Sequence, residues 1–294
     1  MTDRLDDNWV NESLRYHLIR SLIETVRDFN SRIRNLKILV AIREDLFERV
    51  FELTRRPGYQ EEKYKSLCLR LGWKEEELEY LLDLRVDKLV KEQYTKADVK
   101  LRALMPNSIS NNDPVSYLLD RTLLRPRDAI MFLNECIKVS EGKPRFTQTL
   151  IHQAEEAYSN SRLRALADEW NTDYPDLIKL CLLFKKFPAK FKQADILDDF
   201  ANRMLDLLTS QPQDNDFFRM ANDKLLVDGA GLLQDCLMIL FRVGLIGMKT
   251  ETSTSILWSY KGNRPIGGEI STDASLHIHP AFWRVLGTPL PKSR

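Results

Sequence analysis

The chain has 294 residues, with 44 Lys and Arg set against 43 Asp and Glu for a net charge of +1. That balance excludes a general attraction to nucleic acid or acidic lipid, so any anion-binding face must be local. A hydrophobic content of 43% is enough for packed cores and excludes wholesale disorder.

Cys68, Cys136, Cys181 and Cys236 lie far apart and form no C-x-x-C pair. They read as reduced thiols in a cytoplasmic protein, not a disulfide framework. The acidic, polar N-terminus is unlike a signal peptide, and no apolar run approaches the roughly 18 residues of a membrane span. No membrane partner is expected.

In chain order, Met1 to Trp9 reads as a strand stub carrying Asp3, Asp6 and Asp7. A helix follows to about Asn30, with Leu14, Leu18, Leu22 and Val26 as its apolar stripe, widened by Ile19, Ile23 and Phe29. Leu36 to Ile42 is almost continuously apolar, as expected of a strand covered on both faces of a parallel sheet, and it stops at Arg43. No comparable strand follows until after Gly244, so its expected neighbours would precede Met1.

From Asp45 the periodicity is helical almost without break. A short helix through Leu46, Val50 and Leu53 ends at Arg55-Arg56-Pro57-Gly58. Gly72-Trp73 opens a long helix whose first turn, Lys74 to Glu77, sets carboxylates at the positive helix end. Its apolar side is expected at Leu78, Leu81, Leu82, Leu84, Val86 and Leu89. Met105 to Pro114 is a polar turn, and helix returns over Val115 to Thr122. Pro126 suits the first turn of a helix that stops near Glu141-Gly142. Thr147 suits an N-cap for a helix through Leu150, Ile151, Ala154, Tyr158, Leu163 and Leu166. Another helix starts after Tyr174-Pro175, and Lys185, Lys186, Lys190 and Lys192 form a basic segment near its end, read as loop charges.

Helices are expected at 194–208, 217–226 and 231–243, the last closed by Gly244 as a left-handed cap. Strands are expected at 245–249, 256–260 and 275–279. Helices followed by short strands suggest a winged helix. His277 and His279 sit two apart on a strand, but lack the further ligands of a metal site and read as packed or surface histidines. No lysine loop of the form G-x-x-x-x-G-K-[S/T] occurs.

The segment Asp3-Arg4-Leu5-Asp6-Asp7-Asn8-Trp9 resembles the second acidic (Walker B) motif of STAND- and KAP-like bacterial P-loop ATPases of the AAA+-related group. The apolar residues that precede the motif in that family are reduced here to Met1 and Thr2. Lys37 to Asp45 resembles the strand that follows it there, Arg125-Pro126-Arg127-Asp128-Ala129-Ile130 the helical lid, and Gly244-Leu245-Ile246-Gly247 with Trp258-Ser259-Tyr260 and Ile278 to Trp283 a C-terminal winged helix. The resemblance implies Asp3 as the carboxylate on the Mg²⁺ side and Asp6 or Asp7 as the one that polarises water. It implies Arg43 as a sensor of the terminal phosphate, and Arg127, with Arg125 behind it, as a second sensor. Each also reads more plainly: three surface acids, a salt bridge from Arg43 to Glu44, Asp45 or the acidic cluster, and a salt-bridged helix turn.

The expected fold is mainly α: a P-loop core remnant at 1–50, a helical lid at 51–145, a helical bridge at 146–193 and a winged helix at 194–294. The expected function is the C-terminal part of a nucleotide-dependent regulatory ATPase, acting in signalling or phage defence. The intact protein would use ATP and Mg²⁺; without the lysine loop this chain should bind ATP poorly and hydrolyse none. The alternative is a non-enzymatic winged-helix adaptor. Expected partners are an N-terminal ATPase half or another protein, with self-association and DNA as further candidates.

Overall fold

The structure is a computed structural model. It describes residues 12–54, 64, 66–93, 96–210, 216–265 and 269–289. Asp3, Asp6 and Asp7, with the expected strand stub, lie outside the described residues. The chain divides into two compact units, Met1–Leu71 and Gly72–Arg294. Among the described residues the architecture is mainly helical with one small sheet. Among the described residues no helix is long and apolar enough to cross a membrane.

In the first unit, α1 (Glu12–Arg32) packs on α2 (Glu44–Leu53). Their core is Tyr16, Ile19, Leu46 and Val50, with Ile23 and Ile42 against it. The face that α1 buries differs from the expected leucine stripe. Leu14, Leu18 and Phe29 are exposed, while Arg15 and Arg20 are buried beside Tyr16 and Ile19. Arg20 is held by the Thr54 carbonyl and hydroxyl at the end of α2 and by Glu24 at 2.9 Å, which compensates its burial.

The expected strand at Leu36 to Ile42 is corrected. These residues join no ladder, and Leu39 is 89% exposed. A buried parallel strand needs neighbours for its backbone. Here Ile38 finds its partner in a side chain: the Asn30 amide accepts from Ile38 N–H (2.7 Å) and donates to Ile38 C=O (2.9 Å).

The second unit has one continuous core, from Leu78 to Leu286. Its elements are α3 (Glu75–Gln93), α4 (Leu101–Leu104), α5 (Pro114–Leu119), α6 (Pro126–Val139), α7 (Gln148–Glu169), α8 (Leu177–Leu182), β1 (Lys190–Lys192), α9 (Gln193–Ser210), α10 (Asp216–Val227), α11 (Gly229–Arg242), β2 (Ile246–Lys249), β3 (Ser275–Ile278) and α12 (Trp283–Leu286), with 3-10 turns at Ser259–Lys261 and Pro280–Phe282. Local chemistry sets the boundaries. Asp113 caps α5 through Ser116 N–H, Thr147 caps α7 through Leu150 N–H and Asp228 caps α11 through Gly231 N–H. Pro126 opens α6, and Gly244, at φ 84°, closes α11 in the left-handed region expected of it. On α3, Leu78, Leu82 and Val86 are buried, whereas Leu84 is 54% exposed.

The sheet has strand order β1-β3-β2, all antiparallel. Phe191, Leu276 and Met248 form one register row facing the core. The basic stretch at 190–192, expected as loop, supplies the β1 edge. The expected strand at 256–260 reduces to a single bridge, Leu257 to Met248, followed by a 3-10 turn.

Candidate functional site

The structure concentrates its buried polar chemistry on α7. Glu155, Ser159, Arg162 and Glu169 recur at spacings that bring them to one side of that helix. Glu155, Ser159 and Arg162 are at most 2% exposed. Ala154, Tyr158 and Leu163 are buried as well, and Tyr158 stacks on Phe132 of α6 with ring centroids 4.6 Å apart. A helix covered on so many sides carries two stripes, one apolar and one polar.

Glu155 is the hub. It accepts from Arg121 Nε at 2.6 Å, from Tyr117 Oη at 2.8 Å, and from Arg284 Nη2 and Nε at 3.2 and 3.3 Å. The Arg121 guanidinium lies over the Tyr117 ring, 3.3 Å from its centroid. Burial pushes the Tyr117 phenol well above its ordinary range, so it stays a neutral donor. Tyr158 Oη donates to the Arg121 carbonyl at 2.7 Å. One turn along α7, the Ser159 hydroxyl donates to the Ala281 carbonyl (2.7 Å) and accepts from Val285 N–H (3.1 Å). One helix thus holds both the 117–121 segment and the 281–285 segment.

Further along, Arg162 Nε faces Asp128 Oδ2 at 3.2 Å, both side chains 3% exposed, and Asp128 accepts from Leu123 N–H. Arg125 Nη1 donates to both Glu169 oxygens, at 2.7 and 2.8 Å. Of the residues expected to sense nucleotide, Arg125 and Arg127 flank Pro126 at the start of α6. Arg125 is engaged by Glu169, and Arg127 is exposed. Arg43 belongs to the first unit, where it is exposed and its carbonyl caps the first turn of α2 through Phe47 N–H.

His279 is buried and hydrogen-bonded on both ring nitrogens: Nδ1 accepts from Ala281 N–H at 3.2 Å and Nε2 pairs with Tyr260 Oη at 3.1 Å. Burial, with smaller repulsions from Arg162, Arg121 and Lys261, pushes its pKa down to about 3, so the ring is neutral. His277 is lowered mainly by burial, and also by Lys190 and Lys249 beside it. Among the described residues no group of three or more His, Cys, Asp or Glu is placed to hold a metal.

On α11 the buried residues are Leu232, Leu233, Cys236, Leu237, Leu240 and Phe241. Its charged side chains are engaged outside the helix: Asp235 with Lys224 at 2.6 Å, and Arg242 with Tyr174 Oη at 3.2 Å.

The α7 polar stripe escapes a reading of apolar periodicity. Its signal is present in the sequence, as Glu155, Ser159, Arg162 and Glu169 repeat at helical spacing alongside the apolar stripe. No curated protein and no solved structure matches the chain. Residues 76–167, from the start of α3 almost to the end of α7, match the family described as FunZ-associated C-terminal helical domain.

Proposed function

We propose that this chain is the C-terminal, regulatory part of a STAND/KAP-like P-loop ATPase, acting as a switch. The lid would be the helical segment up to about residue 145, the bridge α7 and α8, and the output a winged helix built from α9, α11 and the sheet. The observation that carries the reading is the α7 seam. It binds the segment leading into α6 on one side and the C-terminal 281–285 turn on the other through Glu155 and Ser159. A displacement of α6 by nucleotide would therefore be passed on through packed, hydrogen-bonded contacts, as a population-shift device requires.

Two further observations support it. The matched family is described as a C-terminal helical domain, the place the reading gives to residues 76–167. The antiparallel order β1-β3-β2, with β1 ahead of α9 and the β2–β3 pair after α11, is the order that the winged-helix reading calls for and so supports it. In the intact ATPase, Arg127 would face the triphosphate, Asp3, Asp6 and Asp7 the Mg²⁺ and water, and Arg43 the terminal phosphate.

The test begins with the coding DNA upstream of Met1. An in-frame lysine-loop segment is expected, and its product with this chain should bind Mg·ATP. Arg127→Ala in that assembly should slow hydrolysis at least tenfold, a typical cost of removing a charge-stabilising group. The 294-residue chain alone should not bind. Micromolar ATP binding by the chain alone, or an upstream region without a lysine loop, would sink the proposal.

A second reading is a non-enzymatic adaptor. The apolar character of α11, and the engagement of Arg242 and Asp235, favour a protein partner over base reading by that helix.

A further inference from the structure

The sheet turns two different faces outward and inward. Phe191, Leu276, Met248, Ile246 and Ile278 point into the core. The alternating positions must point the other way. In register these are Lys190, His277 and Gly247 in one row, and Lys192, Ser275 and Lys249 in the next. Two segments more than fifty residues apart in sequence therefore bring three lysines to one small surface, which neither stretch reveals alone.

All three lysines are exposed, and none is in an ion pair among the described residues. Asp195, three residues after Lys192, is turned to the backbone, accepting from Lys192 N–H at 2.9 Å. Glu251 and Asp273 follow β2 and precede β3, and among the described residues neither is paired to a lysine. Between the lysines, the Ser275 hydroxyl and His277 Nε2 are hydrogen-bonded at 3.2 Å. Part of this face is closed by Trp258 and Ile256, whose side chains lie within 2.8 Å of where a Cβ on Gly247 would sit. Only glycine admits that approach, and it leaves the lysine positions as the open part of the sheet.

We propose that this face, Lys190, Lys192 and Lys249 around Ser275, binds the phosphate backbone of duplex DNA without reading its bases. Charge complementarity selects the occupant. The chain as a whole is nearly neutral, so three unpaired ammonium groups on a rigid sheet stand out as a local anion-binding surface. An acidic membrane is the poorer fit: polybasic lipid sites carry about 4–8 Lys or Arg and often an apolar anchor, and the large side chains of this sheet point inward. Base reading is left out because α11 carries no free basic side chain to place in a groove. The proposal does not rest on the ATPase reading, since the sheet face has no part in nucleotide binding there.

The test is fluorescence anisotropy of the full chain with a labelled 20-base-pair duplex over a salt series. Three phosphate contacts give a slope of log K against log salt of about −2.7, or about a 40-fold loss of affinity between 50 and 200 mM salt. A duplex of scrambled sequence should bind equally. The variant K190Q/K192Q/K249Q should weaken binding at least tenfold at 50 mM salt and flatten the slope. The charge-keeping K190R/K192R/K249R should bind as the parent does. K88Q/K138Q/K143Q removes the same charge from other exposed positions and should leave the slope unchanged. Circular dichroism of each variant checks that the fold persists. The proposal is overturned by no binding at 50 mM salt, by equal losses in the two glutamine variants, or by retention on phosphatidylserine vesicles but not on duplex.

Discussion

Both units bury charge, but they treat oil differently. In the second, four charged groups of the α7 seam are sunk into the interior and each is met by a partner, while the apolar side chains close into one core. In the first, α1 buries Arg15 and Arg20 but leaves Leu14, Leu18 and Phe29 exposed, while among the described residues Tyr16, Ile19, Leu46 and Val50 form a core cluster and Phe51 and Tyr64 are also buried. A buried charge is tolerable where its partners are fixed in advance, and an exposed leucine is ordinary where it stands alone. The difference teaches that apolar patterning is a better guide to burial in the larger unit, where it still misses Leu84 of α3 at 54% exposed, than on α1.

The strongest way to break that contrast is to remove the hub of the seam. Glu155→Ala leaves Arg121 and Arg284 without their shared carboxylate, and Arg121 is 6% exposed. Breaking a buried ion pair from one side costs about 3–5 kcal/mol. Urea unfolding of the second unit should register that loss. A loss below about 1 kcal/mol would mean that water reaches the seam and that the interior is less closed than drawn.

Much of the second unit was legible because its signals are local. Pro126, Thr147 and Gly244 act through backbone chemistry that no distant contact alters, and each sits where it was expected. Faces and pairings were harder. The stripe expected on α1 counts Leu14 and Leu18, but α2 packs on the Tyr16–Ile19 side, a choice made by a second helix. Lys190-Phe191-Lys192 is too short to show alternation, so β1 emerged only from its register with β3. Leu36 to Ile42 has the composition of a strand but no ladder. Of the site, Arg125 and Arg127 are brought to one helix start, Arg43 stands in the other unit, and the three aspartates lie outside the described residues.

A second test acts on the smaller unit. Ile19 is 1% exposed in the core cluster of Tyr16, Ile19, Leu46 and Val50, so Ile19→Ala should cost about 2–3 kcal/mol. The first unit is the smaller of the two, and its unfolding should part from that of the second unit as an earlier transition. A single unchanged transition would contradict the division of the chain. Acid gives a third test, on the second unit. Because His279 has a pKa of about 3 when folded against an ordinary 6.5, the unfolded chain takes up a proton below pH 6.5 that the folded chain refuses. Stability should therefore fall as pH drops from 6.5 towards 3, by about 2 kcal/mol at pH 5. His279→Asn should remove that part of the acid slope, and an unchanged slope would assign it elsewhere.

The smallest effect is expected where the contrast is sharpest. Leu14 and Leu18 are 52% and 42% exposed on α1, Leu18 next in sequence to buried Ile19. If that face is open to water, Leu14→Ser and Leu18→Ser each change the stability of the first unit by no more than about 0.5 kcal/mol, the range of ordinary surface substitutions. Ser is a weaker helix former than Leu, so a small loss is expected even from an open face. A loss above about 1.5 kcal/mol cannot come from propensity alone. It would place these leucines in a packed environment in solution and restore to α1 the apolar stripe that its sequence suggests.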